Sequence, residues 1–282
     1  MALIHSNFDF LNRPWWRPDY DDRVHQYFIS NTTRLQQAIL LSVNNEDELF
    51  WEGFMELHRE RYLIECISAE GNVDIDDIKQ LLKKSWFKLK KIQNLHDTIN
   101  GIFPSIFFLN LPMDRFTPLL AQQLHQQVGN GLIDNAGRYR TRYVMAAQEN
   151  YVYLAPNLIG DRMEELFRQC RVRFGVEELE LDDAIKFGAC FLSHFLYIHP
   201  FMNGNGSVAR LLLSYLLSRF TVVPLSLYTG TRTRDIYLQC LRESRYHKSF
   251  MPNALATFIL ENVYTTSHNI CAVMDINVPN NV

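Results

Sequence analysis

The chain has 282 residues, 47% of them hydrophobic and 21% charged, which excludes disorder as its main state and supplies core material for one large domain or two unequal ones. Its 28 Lys and Arg against 31 Asp and Glu give a formal net charge of −3, so no broad cationic surface supports binding to nucleic acid. The opening stretch MALIHSNFDFLNRPWWRPDYDD has no basic segment leading into an apolar run, and no apolar run reaches the roughly 18–20 residues that cross a bilayer, so the expectations are a cytoplasmic location and no membrane partner.

Apolar residues recur at three- and four-residue spacing along most of the chain, which predicts an all-α fold. Helices are expected over Asp21–Val43, Asp47–Ile67 and Asp74–Ile92, the last with its Lys pairs on a solvated face. Gly101, Pro104 and Pro112 punctuate Ile99–Pro112 as a connection, which divides the chain near Pro112 into an N-terminal helical layer, 1–112, and a second unit, 113–282. Thr117 and Pro118 are an N-cap and a first helical residue for a helix that stops at Gly129. Between Asn135 and Leu154, Tyr139, Tyr143, Val144, Tyr151, Val152 and Tyr153 flank a polar turn and predict a short β-hairpin. Helices resume over Gly160–Phe174, Asp182–Ile198, Val208–Phe220, Arg234–Arg245 and Pro252–Ser267.

The stretch that carries chemistry is IHPFMNGNGSVAR, Ile198 to Arg210, a polar loop pinned between two strongly apolar helices. Pro200 ends the first helix and leaves His199 at its carboxyl end as a base, while Phe201 can plug the core and fix the imidazole's direction. Gly204 and Gly206 let successive N–H groups, through Ser207, turn inward as a nest before the positive end of the next helix. Arg210, one turn further on, adds a fork of donors for a phosphate. Gly-x-Gly alone would read as an ordinary helix connection.

The order of His199, Phe201, Gly204-Asn205-Gly206 and Arg210 resembles the Fic-domain loop, H-x-F-x-[D/E]-G-N-G-R-x-x-R. Two positions depart from it. Asn203 stands where the family has an acidic Mg²⁺ ligand, and Ser207 stands where it has a first phosphate-binding arginine. The resemblance runs from about Phe116 to Asn269. It implies a helical Fic fold with a β-hairpin flap, in which Gly137, Tyr139 and Arg140 match the G-x-Y-R that leads into the target-docking strand. TRDIYLQCLRESR resembles the later helix near the nucleotide, so Tyr237 is either a buried core tyrosine or an adenine-side contact. CISAEGN, Cys66 to Asn72, resembles the inhibitory motif [S/T]-x-x-x-E-[G/N] with Cys66 in place of the hydroxyl residue. Glu70 would then pair with Arg210 and hold the triphosphate out of its reactive pose; a plain helix end at Gly71 is the other reading.

The resemblance therefore implies a protein adenylyltransferase that uses ATP with Mg²⁺ or Mn²⁺. His199 would take the proton of a Ser, Thr or Tyr hydroxyl on a protein target. Gly204, Asn205, Gly206, Ser207 and Arg210 would hold phosphate, with Asn203 as the metal's oxygen. A degenerate Fic fold that only binds nucleotide or protein, and a Fic enzyme with another donor or one that removes AMP, stay open, as does the oligomeric state, a homodimer included. No H-E-x-x-H, P-loop or strand-led G-x-G-x-x-G is present, and His125 and His247 read as ordinary surface or core histidines. The five cysteines, Cys66, Cys170, Cys190, Cys240 and Cys271, lie far apart without a C-x-x-C and read as reduced core thiols.

Overall fold

Periodic apolar stripes become helices wherever they can be buried, and the chain follows its pattern closely. A computed structural model describes residues 3–45, 48–68, 86–103, 111–146, 150–221, 223–227, 231–246 and 251–278. The described helices are α1 (His25–Asn45), α2 (Glu48–Ser68), α3 (Trp86–Ile102), α4 (Pro118–Val128), α5 (Ile159–Phe174), α6 (Leu181–Ile198), α7 (Asn205–Leu216), α8 (Thr231–Tyr246) and α9 (Asn253–Val273). Short 3₁₀ turns cover Met113–Arg115, Pro156–Leu158 and Leu217–Phe220. The all-α expectation holds.

Helix α6 is the axis of the molecule. Its sequence is apolar on every side, which marks a helix buried all round, and α5, α7 and α9 pack against it. Gly188 lets α7 approach, because a Cβ there would meet Leu213 Cδ1 at 3.1 Å. Asp182 and Asp183 occupy its first turn, where carboxylates favour the positive end of the helix dipole. At the other end of the chain order, α1 lies along α9, so a single apolar core runs from Ile4 to Cys271. All five cysteines are free and buried within it, and burial raises the pKa of each.

One expectation is corrected. Residues 74–85 of the expected third helix lie outside the described residues; from Trp86, helix α3 runs to Ile102 and passes the expected end at Ile92, because Leu95, Ile99 and Ile102 are buried and their packing outweighs the exposed Gly101, which costs about 1 kcal/mol against alanine. The short hairpin is present: among the described residues it shows an antiparallel bridge between Met145 and Val152, supported by Ala146 N–H to Tyr151 O at 3.0 Å and Tyr153 N–H to Val144 O at 3.2 Å. A lone two-stranded ribbon buries little, and Tyr143, Met145 and Val152 stay exposed on it. Among the described residues no helix is long and apolar enough to cross a membrane.

Candidate active site

The loop between α6 and α7 is held by its own backbone chemistry. His199 takes the left-handed conformation, φ 48° and ψ 60°, and its N–H donates to Phe195 O, so it closes α6 one residue before Pro200. Gly204 also lies in the left-handed region, φ 74°, and caps α7. Helix α7 therefore starts at Asn205, three residues earlier than the periodicity suggested. The first-turn amides of Asn205, Gly206 and Ser207 have no intrahelical acceptor, and this is the geometry that receives an anion. Asn205 is a brace: its Oδ1 accepts from Phe201 N–H at 2.9 Å and its Nδ2 donates to Phe201 O at 2.8 Å.

The segment before the hairpin is tied to this loop by Arg140. Its guanidinium is buried and donates to backbone carbonyls: Nε to His199 O at 2.7 Å, Nη1 to Arg142 O at 2.8 Å, and Nη2 to Leu154 O and Ile198 O. A cation at the carboxyl end of α6 also meets the negative end of that helix. Arg140 thus fixes the flap to the loop between α6 and α7 and is itself buried. Gly137 has φ 82°, and a Cβ there would meet Gln126 Cβ at 3.0 Å. Tyr139 is half-buried, with its phenol pKa pushed up to about 12 by burial first and the Glu164 carboxylate second.

Arg210 points into the core side of the loop. It is buried, 3.5 Å from the Ser207 hydroxyl, and its charge lowers the pKa values of the Cys66 thiol and the Tyr237 phenol that burial raises. Tyr62 from α2 lies in the same cluster and bonds Ser214 at 3.2 Å. Two sequence-distant candidates, Cys66 and Tyr237, are thereby brought to Arg210, with Tyr237 buried at 3% exposure. Glu70 lies outside the described residues.

His199 is half-buried and stacked on Tyr153, with ring centroids 3.9 Å apart and planes 15° from parallel. Burial lowers its pKa to about 4, against the pull of the Leu196 carbonyl, and the charges of Arg140 and Arg245 lower it further. An exposed imidazole would titrate near 6.5, the value that makes His199 look like a base poised at neutrality; here it is instead neutral at cellular pH and a weaker base until an anion arrives beside it. Arg245, which sequence reasoning passed over, lies 5.2 Å and 5.5 Å from the ring centres of Tyr151 and Tyr153. Nothing in its helical spacing pointed to the flap; the packing of α8 put it there.

A stability prediction arises from two histidines. His194 and His199 are both held near pKa 4 by burial. Unfolded histidine titrates near 6.5, so between pH 6.5 and 4 the unfolded chain binds more protons and stability falls as pH falls. Their contribution is complete above pH 6.5 and is lost by pH 4, up to about 3 kcal/mol each. The midpoint of thermal unfolding should drop several degrees between pH 7 and pH 5; equal midpoints would refute the assignment.

The metal fails a test of fit. Mg²⁺ takes oxygen ligands in near-octahedral geometry, carboxylates foremost. Asn203 Oδ1 instead accepts from Gly204 N–H at 2.8 Å, and among the described residues no three His, Cys, Asp or Glu side chains form a metal-holding group. Asn203 thus spends one lone pair on its own loop and offers no carboxylate charge to a metal.

Residues 115–217 match the Fic/DOC family. The chain is 25% identical over 179 residues to the protein adenylyltransferase fic-1 of Caenorhabditis elegans, covering 61% of this chain and 34% of that protein. It is 45% identical over 167 residues to a ribonucleoside-diphosphate reductase small chain of Ostreid herpesvirus 1, covering 56% of this chain and 25% of that one. The chain thus spans about a third or less of the curated relatives it matches. Among solved structures, residues 134–508 of Fic-1 from C. elegans superpose with a TM-score of 0.68 at 16% identity, over 89% of this chain and 73% of that one, which shows a shared fold. The matched segment, residues 115–217, holds the histidine, the glycine loop, the flap and helices α4 to α7, so the likeness to the Fic/DOC family covers the whole of this site.

Proposed function

We propose that the protein is an adenylyltransferase that moves AMP from ATP to a Ser, Thr or Tyr hydroxyl of a cytoplasmic protein target. The observation that supports it best is one loop carrying a neutral imidazole at the end of α6 and the first-turn amides of α7, with a buried arginine one turn on. The acceptor oxygen attacks the α-phosphorus, the bond to pyrophosphate breaks, and the hydroxyl proton passes to His199. The amides of Asn205 to Ser207 stabilise charge on the phosphoryl oxygens, and Arg210 takes the departing phosphates. As the anionic nucleotide settles beside His199, the imidazole's pKa rises and its basicity with it. The exposed row of Tyr143, Met145 and Val152, on a ribbon with an open edge, suits an acceptor peptide that lies alongside as an added strand. The split near Pro112 remains our proposal for the domain layout.

Autoinhibition by Glu70 is part of this proposal, supported by the nearness of Cys66, four residues before it, to Arg210. Glu70→Gly should raise nucleotide affinity and transfer, because Arg210 is then free for phosphate. Incubation of both chains with α-labelled ATP and Mg²⁺ or Mn²⁺ tests it; equal labelling would remove Glu70 from regulation. A nucleotide-binding pseudoenzyme is the second reading, favoured by Asn203 Oδ1 being taken up on Gly204 and by Ser207 being fully buried. Absence of labelling by Glu70→Gly together with tight ATP binding would establish it.

A further inference from the structure

His125 sits on the buried face of α4, among Ala121, Leu124 and Val128, and has no solvent exposure. It is not an inert core side chain. Its Nδ1 accepts from Gly137 N–H at 2.8 Å and its Nε2 lies 3.0 Å from Asn203 O. Its ring stacks on Phe201 with centroids 3.8 Å apart and planes 1° from parallel. The backbone of Gly204 rests against it too: a Cβ there would stand 3.4 Å from His125 Cδ2. A single imidazole therefore touches the flap's entry, the plug of the loop, the residue before the cap, and the cap itself.

Only one tautomer satisfies these contacts. Gly137 N–H needs a lone pair on Nδ1, and the Asn203 carbonyl needs a hydrogen on Nε2, so the ring is neutral with its proton on Nε2. Stacking on Phe201, which Asn205 clamps at both its N–H and its O, removes the remaining rotation of the plane. We propose that His125 is the positioning residue that sets the register of the flap against the phosphate-binding loop. One nitrogen fixes where the acceptor strand starts, and the other fixes the carbonyl from which the left-handed turn at Gly204 springs. The flap is too short to hold itself, with one bridge, and the loop's amides are useful only when aimed at one point; a rigid linker between them supplies both needs. The proposal rests on the nucleotide-site reading for its catalytic consequence, though not for its geometry.

Two half-replacements in the full chain separate its two bonds. His125→Asn places an amide oxygen near the Nδ1 position and keeps the Gly137 contact, whereas His125→Gln reaches the Nε2 position and keeps a donor to Asn203 O. By hydrogen exchange, His125→Gln should lose about tenfold or more protection at the Gly137 amide with the loop amides near Gly204 little changed, as loss of one buried bond implies. His125→Asn should show the reverse, with weaker ATP binding, while His125→Gln should raise KM for the acceptor more than it lowers kcat. In the unaltered chain, the ring nitrogens should give the NMR pattern of an Nε2–H tautomer. Parallel loss at both segments in both variants, loss of the cooperative melting transition in both, or an Nδ1–H or charged ring in the unaltered chain would overturn the proposal. If the unaltered chain bound no nucleotide but kept the crossed exchange pattern, the functional reading would fall and the positioning role would stand.

Discussion

Replacing His199 by alanine is expected to lower AMP transfer by about 10²–10⁴-fold, the range that a positioned general base contributes. Nucleotide affinity should hardly change. The imidazole is drawn to the Leu196 carbonyl in α6, outside the phosphate loop, and Arg140 grips the His199 backbone carbonyl, which alanine retains. Folding should survive for the same reason, although alanine is less at ease than histidine in the left-handed conformation. Stability should in fact lose part of its dependence between pH 7 and pH 5, since one of the two histidines held near pKa 4 is gone. Single-turnover labelling with α-labelled ATP, with nucleotide affinity measured in parallel, reads both quantities. Turnover equal to that of the unaltered chain would take His199 out of the mechanism.

The second large effect is a gain. In a Glu70→Gly background, Asn203→Asp leaves one carboxylate oxygen to accept from Gly204 N–H, as the amide does now, and frees the other for Mg²⁺ at an exposed position. Ser207→Arg adds a second guanidinium at the start of α7. Each charge-assisted contact is of the order of 1.5–3 kcal/mol, about 10–150-fold. The arginine carries a cost that the sequence did not reveal. Ser207 is fully buried against Arg210, so a larger cation must leave the core side and repel its neighbour. Asn203→Asp should therefore give the larger share of the gain. Tighter nucleotide binding without any labelling, at every metal concentration, would leave the pseudoenzyme reading in place of ours.

Much of this molecule was legible in one dimension. Amphipathic spacing placed α1, α2 and α4 to α9 within a few residues, and Thr117 with Pro118 set the start of α4: the Thr117 hydroxyl accepts from Leu120 N–H at 3.4 Å, as an N-cap should. Those signals are local, because a helix buries one face and satisfies its backbone within itself. The loop from His199 to Arg210 was equally readable, since proline and glycine restrict or free the backbone wherever they occur. The short hairpin was legible too, since alternation on either side of a polar turn states that two segments can pair, while only the rest of the fold decides how many residues do so.

What the sequence could not supply was partnership across long separations. Arg140 looked like part of a docking surface, and the packing made it a buried brace for the end of α6. His199 looked like a base with an ordinary pKa until burial and two arginines were placed around it. His125 carried one faint sign, a polar side chain on an otherwise apolar helical face, but its bonds go to residues 12 and 78 positions away. By itself the sequence determined the elements, the order of the catalytic loop and the family it resembles, because those rest on backbone preference and side-chain type. Which donors meet which acceptors, and what each imidazole's protonation state becomes, was decided only by tertiary structure, because burial and hydrogen bonding are properties of the neighbours a residue acquires on folding.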